Sequence, residues 1–228
     1  MKHAGKARKA AFKLILIALV ILVLVLGSGV IVALAARAVV FAAPLLAALW
    51  LTFSLFTLYF FRDPTPTVPV GPGLVVSPAH GKVDVIDTTT ESQFMGGPCQ
   101  RVSIFLSVID VHVQNAPVGG KIAFYKYTPG EFMNAMRVEC ATNNENVLLG
   151  FEASDPPGKK IGVRLIAGVL ARRIVPYIQD GEMVARGERI SLIQFGSRAD
   201  VYFPAEARIK VKLNDRVVGG ETVLAEFS

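Results

Sequence analysis

The chain has 228 residues, 52% of them hydrophobic, a net charge of +6 and a mean hydropathy of +0.48. That length allows one domain of ordinary size plus an appendage, and such apolarity excludes a purely soluble domain. The basic balance fits an anionic membrane surface better than nucleic acid, because the globular part has no dense Lys/Arg run and Lys2, Lys6, Arg8, Lys9 and Lys13 all precede the first apolar segment.

Leu14 to Ala36 is apolar without a charge, Arg37 interrupts, and Ala38 to Phe61 is apolar again. Each run would be roughly 35 Å long as a helix, enough to cross a hydrocarbon core of about 30 Å. The sequence therefore predicts a membrane anchor over residues 1–61. Its two helices, 14–36 and 38–61, form a transmembrane hairpin with its turn around Arg37. Both ends then lie on one side, which the basic N-terminus assigns to the cytoplasm. A cleaved signal peptide has an apolar region of only about 7–15 residues; here the first run is longer and a second follows at once. Gly27, Gly29 and Pro44 leave open a run that enters the membrane without crossing. Tyr59, Phe60 and Phe61 suit the interface where the second span leaves. Residues 62–73, with Pro64, Pro66, Pro69 and Pro72, read as a stiff linker.

From Leu74 onward, short β-runs alternate with Gly/Pro punctuation. Strands are predicted at 74–76, 82–86, 101–108, 121–127, 146–152, 161–167, 189–194, 200–203 and 207–212, with room for a helical turn within 166–175. The fold class is mainly β (α+β): a helical anchor followed by a β-rich sandwich or barrel-like domain over residues 74–228. A weak repeat links Val184–Ile190 to Val217–Val223, 33 residues later, and Pro117–Ile122 has the same flavour. Such Gly-turn units recur in lipoyl- and biotinyl-carrier domains, although no lysine stands where a swinging arm would be attached. Cys99 and Cys140 have no metal-ligand spacing and read as free core thiols of a reducing compartment.

The chemistry centres on Gly196-Ser197, between two apolar runs. A Gly-Ser pair is ordinarily a turn. It is also a possible self-cleavage point, since glycine leaves its carbonyl unhindered and the serine hydroxyl is one bond away. An amide-to-ester shift, elimination and hydrolysis would leave residue 197 as an N-terminal pyruvoyl group. His80 and His112 are the two histidines of the globular part. Both sit at strand ends beside turns, where an imidazole can move a serine proton.

Five motifs fall in order: Phe60-Phe61-Arg62-Asp63-Pro64, Ser77-Pro78-Ala79-x-Gly81-Lys82-Val83, His112-Val113-x-x-Ala116-Pro117-Val118-x-Gly120, Gly168-x-x-Ala171-Arg172-Arg173-Ile174 and Phe195-Gly196-Ser197-Arg198-x-Asp200-Val201-Tyr202. From about Phe60 to the end, the chain resembles phosphatidylserine decarboxylase in its short bacterial and archaeal form. The resemblance implies a proenzyme that cuts itself between Gly196 and Ser197 into a membrane-anchored β chain, 1–196, and an α chain, 197–228. The pyruvoyl group at residue 197 would form a Schiff base with the amine of phosphatidylserine and accept the electrons released with carbon dioxide, giving phosphatidylethanolamine. The implied partners are the membrane phospholipid and the two chains of one precursor, without nucleic acid or metal.

The chain departs from the family at two positions. His80 stands where the family has Asp, and that Asp is implicated in self-cleavage. Asn115 stands where short-form relatives carry Arg and the long form a second His. His112 is then the first choice for proton transfer. Arg172 and Arg173 are candidates for the lipid phosphate and equally a solvated basic pair. Arg198 is a candidate for ordering the cleavage turn or holding the substrate carboxylate, with Asp200 as its partner, and Phe195, Val201 and Tyr202 are candidate pocket walls. The alternatives are an inactive or slow-processing anchored homologue, an archaeal ether-lipid substrate (archaetidylserine), a serine hydrolase using Ser197, His112 and Asp110, and a non-catalytic β-domain. The hydrolase reading lacks a Gly-x-Ser-x-Gly elbow.

Overall fold

The structure, a computed structural model, describes residues 6–131, 143–168, 173–193 and 197–227. The chain divides into two compact units, Met1–Thr57 and Leu58–Ser228.

The first unit is helical. One α-helix, α1, spans Lys6–Phe60. It replaces the two helices predicted from the sequence, and no turn interrupts it at Arg37. Locally this is expected, because Ala35-Ala36-Arg37-Ala38 are all strong helix formers and a lone arginine does not break a helix. Pro44 is accommodated within it. The hydroxyls of Ser28, Thr52, Ser54 and Thr57 donate to backbone carbonyls three or four residues earlier, at 2.8–2.9 Å, so these polar groups are satisfied without water. Leu16–Phe60 is long and apolar enough to cross a membrane.

The second unit starts at Leu58, so the end of α1 belongs to it. Its strands are β1 (Leu74–Val76), β2 (Gly81–Glu91), β3 (Gly97–Leu106), β4 (Val113–Asn115), β5 (Gly120–Thr128), β6 (Asn146–Ser154), β7 (Pro157–Ala167), β8 (Ile174–Pro176), β9 (Met183–Val184), β10 (Arg189–Ile193), β11 (Ser197–Phe203), β12 (Arg208–Ile209), β13 (Arg216–Val217) and β14 (Val223–Glu226). An eight-stranded antiparallel sheet has the order β13-β2-β3-β11-β7-β6-β5-β9, and two three-stranded sheets have the orders β1-β14-β12 and β4-β10-β8. The mainly-β expectation holds. The predicted 207–212 run shortens to β12, and the expected helical turn falls partly on residues 169–172, outside the described residues, between β7 and β8.

Alternation along the strands sorts side chains to two faces. On β11, Ala199, Val201 and Phe203 enter the main core with Val83, Ile104, Leu149, Val163, Ile190 and Leu224, which draws on all three sheets. Tyr202, on the other face, joins a small cluster with Cys99 and Leu148. Cys99 is a buried free thiol; Cys140 lies outside the described residues.

Residues 62–73 are held along their length rather than left as a spacer. Asp63 accepts from Arg189 Nε at 2.7 and 2.6 Å, and Glu221 accepts from the Thr67 amide at 2.9 Å. Arg186 donates to the carbonyls of Pro69, Gly71 and Leu74 at 2.9–3.1 Å. The two Gly turns of the 33-residue repeat seat this strap. Gly187 (φ +80°) and Gly220 (φ +75°) adopt left-handed conformations, and a Cβ on them would fall 2.3 Å from Val68 and 2.7 Å from Pro66. Only glycine meets both demands.

Replacing Arg186 with alanine should remove charge-assisted hydrogen bonds to three carbonyls and destabilise the second unit by about 2 kcal/mol. Urea unfolding together with amide exchange at Gly71 and Leu74 checks it; unchanged protection there would show that the strap is held by other contacts.

Candidate active site

Ser197 is the first residue of β11 and fully buried. Antiparallel neighbours flank it on both sides, Leu106 of β3 and Ala167 of β7. Its side chain shares a strand face with Ala199 and Val201. Among the described residues its Oγ has no hydrogen-bond partner. A buried hydroxyl left unpaired costs about 1–3 kcal/mol, and such exceptions concentrate where the group has chemistry to perform. Phe195 and Gly196 lie outside the described residues.

His112 is tied through its backbone to the end of β10, the strand that precedes Ser197 in the chain. Its carbonyl accepts from the Ile193 amide at 3.1 Å, at the end of β10 and three residues before Gly196. The ring is fully buried. Its Nδ1 lies 2.8 Å from the Asp110 carbonyl oxygen. A carbonyl can only accept, so Nδ1 carries the proton and, in the neutral ring, Nε2 keeps a lone pair. Phe60 covers the imidazole at a centroid distance of 4.1 Å and an interplanar angle of 33°. Burial is the main reason its pKa falls to about 4; the Asp110 carbonyl and carboxylate oppose the fall and Arg62 adds to it. At neutral pH His112 is therefore an uncharged base.

His80, on the turn between β1 and β2, is half-buried, and its pKa is lowered chiefly by burial. Asp110 and Arg62 act on it as they do on His112. Asn115 is close by: a Cβ on Gly219 would meet Asn115 Oδ1 at 2.9 Å and His80 Cδ2 at 3.0 Å. Asn115 is spent on structure, with its amide donating to Pro78 O at 2.8 Å and its Nδ2 to Gly187 O at 2.8 Å.

Asp110 organises the loop before His112. Its Oδ2 accepts from the Ser107 amide at 2.8 Å and hydroxyl at 2.7 Å, and its Oδ1 from Arg216 Nη1 at 2.8 Å. Burial alone would raise its pKa, but these donors outweigh it and hold the carboxyl below the usual range. The candidate residues are thus a buried serine at a strand start, a neutral imidazole tied to the end of the preceding strand, and a carboxylate that holds the loop between β3 and that imidazole.

The phosphatidylserine decarboxylase family model matches residues 53–225. The chain belongs to the phosphatidylserine decarboxylase family. Relatives named phosphatidylserine decarboxylase proenzyme include those of Desulfotalea psychrophila, 41% identical over 78% of this chain and 83% of the relative, and Syntrophus aciditrophicus, 42% over 80% and 84%. That of Zymomonas mobilis is 46% identical over 74% of this chain and 70% of the relative.

The other sequence candidates of this family member scatter. Arg198 points to the face opposite Ser197, where its Nη2 donates to Asp84 Oδ1 at 2.8 Å and its Nε to Asp200 Oδ1 at 3.3 Å. The pairing with Asp200 is as expected; Asp84 on β2 was not foreseen. Burial raises the Asp84 pKa despite the guanidinium beside it. Tyr202 lies five residues beyond Ser197, about 17 Å along an extended strand, and on the other face. It packs beside Arg164, whose guanidinium carbon is 5.6 Å from the ring centroid. Burial pushes its hydroxyl pKa up. Arg173 is exposed and precedes Ile174, which pairs with Ile193; Arg172 lies outside the described residues. Sequence reasoning missed Phe60 as the cover of His112 and Asn144 as a partner of Ala167. Asn144 Nδ2 donates at 2.6 Å to the carbonyl of Ala167, the residue paired with Ser197. The Phe60 signal was present in the Phe-Phe-Arg-Asp motif, but its partner lies 52 residues on.

Replacing Phe60 with alanine should admit water to the imidazole and raise the His112 pKa from about 4 toward the ordinary 6.5. A carbon-13 NMR titration of the His112 ring in the full chain reads this directly; a midpoint that stays near 4 would show that other groups keep the ring dry.

Proposed function

We propose that this chain is a proenzyme that severs its own Gly196–Ser197 bond and then decarboxylates phosphatidylserine to phosphatidylethanolamine in phospholipid synthesis. The observation that carries the reading is the buried Ser197 hydroxyl, without a partner among the described residues, at the head of a strand four residues after Ile193, whose amide bonds the carbonyl of the neutral His112. Membership of the family supplies the substrate class.

In the proposed cleavage, His112 Nε2 takes the Ser197 hydroxyl proton. Oγ attacks the Gly196 carbonyl carbon, and the C–N bond breaks as the nitrogen is protonated. The product is an ester of Ser197 with a free amine at residue 197. Loss of the Cα proton expels the Gly196 carboxylate. Water then replaces the nitrogen, which leaves as ammonia, so that chain 197–228 begins with pyruvoyl and chain 1–196 ends at Gly196.

The residues present fit that group: the Ser197 hydroxyl, whose oxygen would leave with the Gly196 carboxylate while Cα and Cβ become pyruvoyl carbons, is engaged by nothing described, and β11 would remain paired on both flanks. The pyruvoyl carbonyl supplies an electrophile for the substrate amine and a sink for the electron pair released with carbon dioxide. His112, neutral with its lone pair on Nε2, is assigned the proton transfers. Arg198 serves as a positioning residue that ties the start of β11 to β2 through Asp84, and Arg173 is a candidate for the lipid phosphate. His80, in the family's Asp position, cannot supply a fixed negative charge, and Asp110 beside both imidazoles is the carboxylate available instead.

For the anchor, we propose a membrane hairpin with both ends on the cytoplasmic side, which requires α1, continuous from Lys6 to Phe60 in this structure, to break near Arg37 in a bilayer. The apolar stretch Leu16–Phe60 has 45 residues, about 68 Å as a helix, roughly twice the hydrocarbon thickness. The basic residues at the N-terminus support the sidedness.

The full chain should appear as two polypeptides under denaturing conditions, the smaller with a blocked, borohydride-reducible end, and should release carbon dioxide from phosphatidylserine. Ser197→Ala should abolish both. An intact Ser197→Ala chain that still decarboxylates would sink the reading. Because His112 is the base and its pKa is about 4, it is neutral above that value and cationic below. Self-cleavage should be independent of pH upward from about 5 and fall about tenfold per unit below about 4. Quenched time courses of refolded precursor measure this, and a midpoint near 6.5 would point to a solvated histidine as the base.

A further inference from the structure

The loop between β3 and His112 carries a feature that the proposed chemistry does not use. Leu106, the last residue of β3, is paired with Ser197. The chain then turns to reach His112, and between them Val108 and Ile109 are 41% and 55% exposed. Single exposed aliphatics are common on soluble surfaces. These two differ in being presented by a built turn. The Asp110 amide donates to Ser107 O at 3.0 Å, and the Asp110 carboxylate takes the Ser107 amide and hydroxyl. With its polar residues turned inward, the loop leaves its apolar tip outside.

The tip is also tied to the apolar exit of α1. Arg62 Nη2 donates to Ile109 O at 2.7 Å and Nη1 to Tyr59 O at 2.8 Å, with the guanidinium 4.0 Å above the Tyr59 ring. Tyr59 and Phe61 are themselves half exposed. One guanidinium therefore joins the loop to the residues that directly continue an apolar stretch long enough to cross a membrane. Cations flank the tip: Arg62 on Ile109, Arg216 on Asp110, and exposed Lys82 paired in register with Arg216. The Asp110 charge is already offset by Arg216. Apolar side chains ringed by Lys and Arg are the composition of an interfacial membrane contact.

We propose that Val108 and Ile109, with Tyr59 and Phe61, form a lip that enters the interface of an anionic bilayer immediately beside Ser197. The lip sets the serine and His112 at the depth of lipid headgroups, so a two-tailed substrate reaches them while its chains stay in the membrane. This rests on the lipid-substrate reading only for its turnover arm.

Trp50 is the chain's one tryptophan, so Trp50→Phe with Ile109→Trp gives a single reporter in the full chain. Reconstituted in vesicles of phosphatidylcholine and phosphatidylglycerol, the emission of this reporter indole should shift to the blue and be quenched by acyl-chain-brominated phosphatidylcholine. Emission that iodide quenches and bromolipid does not would overturn the proposal. So would a blue shift that grows with protein concentration without bromolipid quenching, which would assign the lip to a second copy of the chain. In the turnover arm, Val108→Ser with Ile109→Ser should lower the ratio of activity on vesicle-borne to activity on short-chain monomeric phosphatidylserine about tenfold, as expected for removing two partly buried aliphatics. An unchanged ratio would overturn the lip. A wild-type chain without activity on either substrate would instead sink the decarboxylase reading and leave the fluorescence result standing.

Discussion

The structure depends on one constraint: the residue proposed to become a chain end is locked into a sheet on both sides. Ser197 begins β11, and β11 lies between β3 and β7 in the eight-stranded sheet. Ordinary chain termini fray because nothing pairs with them. Here the ladders to Leu106 and Ala167 start at the first residue, and every side chain of β11 is buried. Loss of the bond to residue 196 would leave those ladders and the core contacts of Ala199, Val201 and Phe203 in place. A reactive group at position 197 would have a fixed direction because its strand does, which is the preorganisation that positional catalysis requires.

The other face of the same strand carries its charges. Arg198 and Asp200 are buried, paired with one another, and linked outward to Asp84 and Arg101. A buried ion pair gives little net stability, but removing one member leaves an uncompensated charge. Its contribution here is register. A one-residue slip of β11 would carry Arg198 and Asp200 into the aliphatic core and Ser197 out of it. The charges thus make the placement of Ser197 all-or-none in a way that aliphatic packing alone would not.

Much of this was legible in the sequence wherever the signal was local. Alternation and Gly/Pro punctuation located β1, β5, β6, β7 and β10, and the motifs singled out Ser197, which begins β11, and His112, whose carbonyl meets Ile193 at the end of β10. What was not legible depends on contacts distant in sequence. Phe60 reads as an interfacial aromatic until His112 is seen beneath it. Residues 62–73 read as a spacer because proline-rich composition says nothing of Arg186 and Arg189 more than 110 residues away. The repeat at Gly187 and Gly220 was visible as a pattern, but its use as a double seat for Val68 and Pro66 was not. Tyr202 shows the converse: near Ser197 in sequence, it is carried by five residues of extended strand along β11 and onto the other face.

His80 tests how far a family pattern binds a single chain. Under the proposed mechanism, a carboxylate at that position would act on the His112 imidazole through space. Here Asp110 does so from the same loop as His112, with its charge kept by Ser107 and Arg216. Its backbone carbonyl fixes the tautomer at the same time. One residue thus does two jobs for His112, orienting the ring and opposing the loss of its basicity, while Phe60 and Arg62 push the other way. The resulting balance favours a neutral ring at physiological pH, which a base for the serine hydroxyl needs. Under the proposed mechanism the electrostatic role falls to Asp110, the carboxylate that the loop holds, partly desolvated and hydrogen-bonded to Ser107 and Arg216, beside the His112 imidazole.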